Sequence, residues 1–351
     1  MKSSINFGRS VRVLRHGNGG LSMRFDMRTV LVCTILFVLA LLVGLLTLAS
    51  GEFPVSPPNV LQALLGQAEG RIHMVVVEWR LPRTALALLL GGALGIGGAI
   101  FQSLTRNPLG SPDIIGFDAG AYTGALIVII FLGGSYYAIA SGALVGGLIT
   151  ALLVYLLAYR RGVQGFRLII VGIGVSAMLS SLNTWMLLRA QLEVAVAAAT
   201  WGAGSLNGMG LDRLISAALI LCMLMPLALL MSRPMSQLEM GDDAAKALGV
   251  DAERTRLALL FIGVALTATV TATAGPIGFV ALAAPQLARR LTGTAGVSML
   301  PAAAMGALLL AAADFVAQRA FAPTQLPVGI VTVSLGGVYF VWLLLREARR
   351  S

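Results

Sequence analysis

Arg80 and Arg83, three residues apart in the run Arg-Leu-Pro-Arg, are the side chains of this sequence best suited to recognising another molecule. An exposed guanidinium presents a planar fork of N–H donors that matches a carboxylate, and such pairs steer an encounter more than they supply affinity. The alternative reading is a positive flank that anchors a helix end. A second set lies at Gly241-Asp242-Asp243, where two carboxylates open a short helical stretch, Ala244 to Leu248 with Lys246 inside it, stopped by Gly249. Carboxylates suit a helix N-terminus and glycine suits a helix stop, so this segment is either a rigid contact helix or an ordinary helical loop.

No reaction centre can be assembled from the rest. Cys33 and Cys222 each lie inside an apolar run, and His16 and His73 are the only histidines, so neither a disulfide framework nor a metal site is expected. No G-x-x-x-x-G-K-[ST] phosphate loop occurs, no cofactor is implied, and the chain is read as a non-enzyme.

The elements that must position these residues are membrane helices. Hydrophobic residues make up 58% of the 351 and charged residues 11%, with a mean hydropathy of +0.89, far too apolar for an ordinary soluble domain. The net charge of +10 does not signal nucleic-acid binding, because the basic residues punctuate apolar runs instead of clustering on a polar face. Since a spanning helix needs roughly 20 apolar residues, charges mark its ends. The first span is Thr29–Ser50; its basic leader and the lack of a small-residue cleavage site argue against a removable signal peptide. Glu52–Arg83 reads as an external loop with a short amphipathic piece near Val60–Leu65. Nine further spans are expected at about Thr84–Leu104, Ala119–Leu132, Ala138–Ala158, Leu168–Leu188, Leu211–Ser232, Leu257–Ala274, Phe279–Leu291, Met299–Ala317 and Pro327–Leu345. Phe279–Leu291 is short and contains Pro285, which suggests a broken or tilted helix.

Ten spans put both termini on one side. That side carries nineteen of the Lys and Arg residues against six opposite, which makes it cytoplasmic. Dropping one span would scatter the separation. The expected architecture is therefore all-α, a ten-helix membrane domain over 29–351 behind a basic cytoplasmic segment, 1–28. Residues 1–25 are read either as disordered or as an over-long start-site assignment. Small-xxx-small spacings such as Gly91, Gly95 and Gly98, and Gly142 and Gly146, would let helix backbones approach closely. The segments after Arg83 and after Arg256 each run through small residues into a Pro-containing turn, and five spans separate them, a faint sign of inverted repeats. Nearly all charges fall outside the spans, Asp314 being the main exception. An ion-coupled carrier generally keeps ionisable residues at mid-membrane, so the energy source is expected on another subunit.

Several separated motifs then stand in order: RLPR at 80–83, GAIFQSLTRNPLGSPDIIGFDAGA at 98–121, LEMGDDAAKALGV at 238–250, AGPIGFVALAAPQLARR at 274–290 and QLPVGIVTVSLGG at 325–337. With these the chain resembles the permease family of ABC importers for iron–siderophore complexes and vitamin B12. VVVEWRLPR and Asn183-Thr-Trp-Met-Leu-Leu are most similar to one of the two permease subunits of ferric-enterobactin-type importers. The resemblance implies an inner-membrane subunit of a type II ABC importer, working with a second permease in a heterodimer, two cytoplasmic ATPase subunits and a periplasmic siderophore-binding protein. It implies that Arg80 and Arg83 contact acidic residues of the binding protein. Arg319 falls one position from a third such arginine, with Gln318 in the matching place. It implies that Gly241, Asp242, Asp243, Ala244, Lys246, Leu248 and Gly249 belong to the helix that couples to the ATPase. Asn107 and Leu109 match residues near the cytoplasmic gate, and Gly165 with Phe166 falls at the second gate segment. Gln286 replaces the family's commoner histidine. The implied cargo is a ferric siderophore of catecholate type. Haem or cobalamin within the same family, or a secondary carrier outside it, are the competing readings.

Overall fold

A computed structural model of the chain describes residues 11–16, 21–159 and 165–348. Positions 1–10, 17–20, 160–164 with Arg160 and Arg161, and 349–351 lie outside the described residues.

The leader contains a feature that its basic composition concealed. β1 (Val11–His16) and β2 (Leu21–Asp26) pair antiparallel with Val11 opposite Asp26. The Gly17-Asn18-Gly19-Gly20 run between them carries the hairpin signal that a charge count overlooks. Among the described residues every element after it is helical. α1 (Met27–Ala49) begins at Asp26, whose carboxylate caps Arg28 N–H at 3.0 Å, and ends where Ser50 turns extended. α2 (Pro57–Leu64) is the amphipathic piece, with Val60 and Ala63 buried under the end of α1.

The expected external loop is shorter than Glu52–Arg83. A continuous helical stretch of 35 residues runs from Arg71 to Thr105, made of α3 (Arg71–His73), a wide π turn over Met74–Arg80, and α4 (Leu81–Thr105). Pro82 has no N–H to give the preceding turn and would clash in a regular α-helix. The π turn, in which Leu81 N–H reaches back to Val76 O, widens the backbone there and lets the helix continue. At about 1.5 Å per residue the stretch is longer than a ~30 Å hydrocarbon core requires.

The next span is broken. α5 (Pro112–Ile115) and α6 (Phe117–Ile127) follow a compact 106–111 turn, and a second π turn covers Val128–Leu132. α7 (Tyr136–Ala158) and α8 (Gly165–Arg189) are full spans. α9 (Leu192–Gly202) was not foreseen. Ala198 packs with Leu126, and three residues on Trp201 stacks on Tyr122 with ring centroids 6.2 Å apart, so α9 runs antiparallel to α6, back into the bundle. α10 (Leu211–Leu230) spans, and α11 (Ser232–Glu239) takes residues that read as the start of a loop into an amphipathic helix, with Met235 and Leu238 buried. α12 (Asp242–Ala247), α13 (Ala252–Ala274), the short α14 (Val280–Thr292), α15 (Met299–Arg319) and α16 (Val328–Ala348) complete the chain.

Among the described residues seven helices are long and apolar enough to cross a membrane alone; the stretches Phe117–Leu132, Leu192–Gly202 and Val328–Tyr339 are shorter apolar pieces. The halves are related by exchange. α4 packs on α15 as α13 packs on α7, and α6–α7 mirrors α14–α15. Glycines permit the closest crossings. A Cβ on Gly91 or Gly95 would strike the α15 backbone at Gly306 or Ala302, and one on Gly124 would strike Gly142 O. Lipid supplies no hydrophobic drive between helices, so such backbone contact is the packing term available. The two most buried long spans are the 71–105 stretch and α13, which form the core of the bundle.

Candidate functional site

One end of the bundle, the end that the basic residues mark, gathers the segment 238–250. Gly241, at φ 114°, turns the chain out of α11, and α12 follows for six residues. Gly249, at φ 83°, ends it with its N–H on Lys246 O, while Val250 N–H returns to Ala245 O. Ala245 is buried against the body; Asp243, Lys246 and Leu248 face outward. Asp242 is held differently from what a helix N-terminus alone would require. Its Oδ1 accepts from Arg106 Nη2 at 2.9 Å and from Arg256 Nη2 at 2.8 Å, and Arg106 also donates to Leu238 O at 3.0 Å. The hydrogen bond from Arg256, reinforced by the charges of both arginines, holds the Asp242 carboxyl below its ordinary range, against a smaller opposing effect of burial.

The expected gate residues lie near this end. Asn107 Oδ1 accepts Leu109 N–H at 2.9 Å and Asn107 O accepts Gly110 N–H at 2.9 Å, a tight turn that leaves Leu109 exposed. Gly165, at the start of α8, presses on the Thr105 backbone, close enough that a Cβ there would lie 2.5 Å from Thr105 Cα. Phe166 is fully at the surface. The structure thus brings both predicted gate segments to the end of α4.

At the opposite end the arginines divide. Arg83 is not exposed, which corrects the premise on which it was read as a docking residue. Its Nε and Nη2 fork onto Asp314 at 2.8–3.1 Å, its Nη1 donates to Gln325 Oε1 at 2.6 Å, and Gln318 Nε2 donates to Asp314 at 2.8 Å. Arg83 and Asp314 side chains are 11% and 1% exposed. A helix end that carries an arginine at bilayer depth must pair it, and Asp314 on α15 is that partner. Arg80 is half-buried, donating to Leu48 O at 2.8 Å and Phe53 O at 2.7 Å, and so closes the turn after α1. Arg319 is exposed, with its guanidinium carbon 5.9 Å from the Phe315 ring centroid. A cavity of about 650 Å³ opens here, with Glu52, Arg71, Glu78, Arg80, Gln318 and Gln325 among its walls.

Between the two ends the helices are interrupted. Ser205 N–H donates to Ala274 O at 2.7 Å and Gly329 N–H to Gly204 O at 3.0 Å, so the ends of α9 and α13 and the start of α16 meet backbone to backbone. Gly204 and Gly275 take positive φ there, and a Cβ on Gly329 would strike Ala203 O. Irregular backbone at membrane depth is tolerated only when it is buried in protein or lines a cavity. The first repeat is stitched to α14. Gln102 Nε2 donates to Leu282 O at 2.9 Å, Gln286 Nε2 to Pro108 O at 2.7 Å, and Phe279 N–H to Asp113 Oδ2 at 2.9 Å. Gln286 therefore has a structural bond. Asp118 accepts from Thr271 Oγ1 at 3.1 Å. Asp113 and Asp118 join Asp314, the main exception expected among the charges, as carboxylates held inside the bundle; both precede Ala119, the expected start of that span. The residues sequence reasoning missed are Arg106, Arg256, Asp113 and Asp118. Sequence alone offers the arginines only as topological charge and as landmarks, Arg106 within the 98–121 motif and Arg256 at the start of the second repeat.

An all-helical bundle of two inverted halves, packed through glycine and interrupted inside the membrane, with a capped helix on the basic side, defines a membrane transport permease. The chain belongs to the FecCD transport family, which matches residues 36–346. It is 52% identical to the ferric enterobactin transport system permease protein FepG of Escherichia coli, over 92% of this chain and 98% of that one. It is 34% identical to the iron(3+)-hydroxamate import system permease protein FhuG of Bacillus subtilis, over 91% and 98% of the two chains. A solved structure of a metal-chelate type ABC transporter in an inward-facing conformation superposes with a TM-score of 0.80 at 27% identity, covering 90% of this chain and 99% of that one.

Proposed function

We propose that this chain is one permease subunit of an ATP-driven importer that carries a ferric siderophore of catecholate type across the bacterial inner membrane. The observation that carries the cargo is the end-to-end likeness to the Escherichia coli ferric enterobactin permease. In this reading two ATPase subunits drive the pair of permeases, one of them seated on the outward face of α12 around Asp243, Lys246 and Leu248, and they supply the hydrolysis for which the chain has no phosphate loop. A second, different permease completes the path, and both termini are cytoplasmic. A periplasmic binding protein docks at the outer end, where Arg319 and the polar cavity are accessible; Arg80 and Arg83 shape that surface, Arg80 by holding the 51–53 turn and Arg83 by fixing α4 to α15. The gate lies where Asn107 and Leu109 meet the start of α8 at Gly165 and Phe166.

The test is uptake of radiolabelled iron, as ferric enterobactin and as a ferric hydroxamate, in cells lacking this chain and in cells with it restored. Loss confined to the catecholate supports the proposal. Loss of hydroxamate uptake alone, or of haem or cobalamin uptake, overturns the cargo and leaves the permease reading. Uptake that follows an imposed ion gradient with the ATPase inactive would overturn the permease reading itself.

A further inference from the structure

Asp242 is the one α12 side chain, among the described residues, that hydrogen-bonds or ion-pairs with another element. Its two partners come from different halves of the molecule. Arg106 follows the last turn of α4, and Arg256 stands in the second turn of α13. These are the first helices of the two inverted repeats and the most buried long spans. Both guanidinium groups meet the same oxygen, Oδ1, at 2.9 and 2.8 Å. Arg106 reaches it from a left-handed backbone, φ 49°, one of two positive-φ non-glycine residues among those described. Such a conformation is unfavourable for a residue with a Cβ and persists when surrounding contacts impose it. The other is Phe279, at the head of α14, whose N–H is held by Asp113 of the segment that Arg106 opens. A second tie at the same level, Tyr159 Oη to Glu253 Oε1 at 3.1 Å, fixes the end of α7 to the start of α13.

We propose that the Asp242 carboxylate is the point at which motion of α12 enters both repeats at once, with Arg106 and Arg256 as positioning residues that carry it into α4 and α13. The proposal rests on the reading of α12 as the ATPase-facing helix and goes beyond it. Seating an ATPase requires only the outward face of α12; moving the transport path requires a link inward. Packing of Ala245 gives α12 a footing, but an apolar contact slides, whereas a carboxylate bridged by two charge-assisted hydrogen bonds keeps direction and register. From α4 the displacement passes to the 106–116 segment and, through Gln286 and Asp113, to α14; from α13 it passes to the backbone junction with α9 and α16. One input thereby addresses both halves, and the two arginines hold their helices at a common distance from it.

The experiment uses the full transporter, with its second permease, ATPase and binding protein, in proteoliposomes. It measures ATP hydrolysed and ferric enterobactin carried in the same sample. Asp242→Asn keeps the shape and removes the charge. It should leave the complex assembled and hydrolysing while cargo carried per ATP falls roughly tenfold, within the 5–150-fold range usual for coupling free energies. Asp242→Glu, which restores a carboxylate on a longer arm, should recover most of the loss. A purely structural role would lower both quantities together and would show as lost assembly on size exclusion. Unchanged cargo per ATP in Asp242→Asn overturns the proposal, as does loss of ATPase from the purified complex, which would make Asp242 a direct partner contact. Leu248→Glu, on the outward face, tests the underlying reading separately. It should dissociate the ATPase, and if it does not, the assignment of α12 falls and the clamp falls with it.

Discussion

Replacing Asp314 by alanine should destabilise the membrane domain by about 3–5 kcal/mol, the usual cost of leaving a buried charge without its partner. The pair is suited to the test because Arg83 and Asp314 are 11% and 1% exposed and Arg83 meets the carboxylate through two nitrogens. Arg83 also borders the outer cavity of about 650 Å³, where water can take over part of the lost solvation, so the lower end of the range is expected. Gln325 would retain Nη1, but one neutral acceptor replaces little of a charge-assisted fork. Asp314→Asn keeps one acceptor and turns an amide donor toward the guanidinium, so a loss of roughly 2 kcal/mol is expected. The informative control is the double variant Arg83→Met with Asp314→Leu, which removes both charges and fills the same space; it should lie within about 1 kcal/mol of the parent. The assay is the temperature at which half of the detergent-purified protein leaves the monodisperse size-exclusion peak. At about 2.1 cal/mol/K of unfolding entropy per residue, a chain of 351 residues shifts by roughly 1.4 °C per kcal/mol, so Asp314→Ala should fall by about 4 °C. An Asp314→Ala protein that melts with the parent, or a double variant no better than the single one, would refute the reasoning, because either would mean that the ion pair does not fix α4 to α15.

Gly98→Ala should prevent accumulation of folded protein, since its Cβ would strike the Ala281 carbonyl oxygen and neither backbone can withdraw; membrane-fraction yield and detergent monodispersity check this. Arg319→Glu should weaken capture of the binding protein several-fold at low ionic strength and by less at high salt, as for exposed charges that steer encounter; on-rates measured against salt check this. Asp242 carries a lowered pKa, so its clamp is complete above the unfolded carboxylate value near ~3.9 and is lost only as pH falls through the lower folded value. Hydrogen exchange in 238–250, pulsed at a common pH after incubation, should therefore be unchanged from pH 8 to 5 and rise only in samples incubated below about pH 4.

The long spans were legible because each is an apolar run bounded by charge or by Gly, Pro and Ser, and α7, α8, α13 and α15 stand within a few residues of where those boundaries place them. What escaped were features whose cause lies outside a sliding window. Pro82 reads locally as a boundary, and only the π turn before it shows how the helix passes through. α9 has eleven residues, half a span, and has meaning only against Tyr122 and Ala274. Arg83 looks like an exposed cation until Asp314, 231 positions later, is placed beside it. Of the predicted site, the positive φ of Gly249 and the outward Lys246 and Leu248 follow from local chemistry. The inward grip on Asp242 comes from residues 136 and 14 positions away and could not be read from the segment itself.

The crossing of α4 on α15 also sets a timetable for synthesis. Gly91 and Gly95 meet Gly306 and Ala302, and Arg83 meets Asp314, so the innermost helix of the domain reaches the membrane about two hundred residues before the surface that covers it exists. Until the ribosome has completed α15, the outer end of α4 holds an uncompensated cation beside a bare strip of glycine. A nascent chain released before α15 is made therefore leaves both features without the surface that covers them in the finished fold.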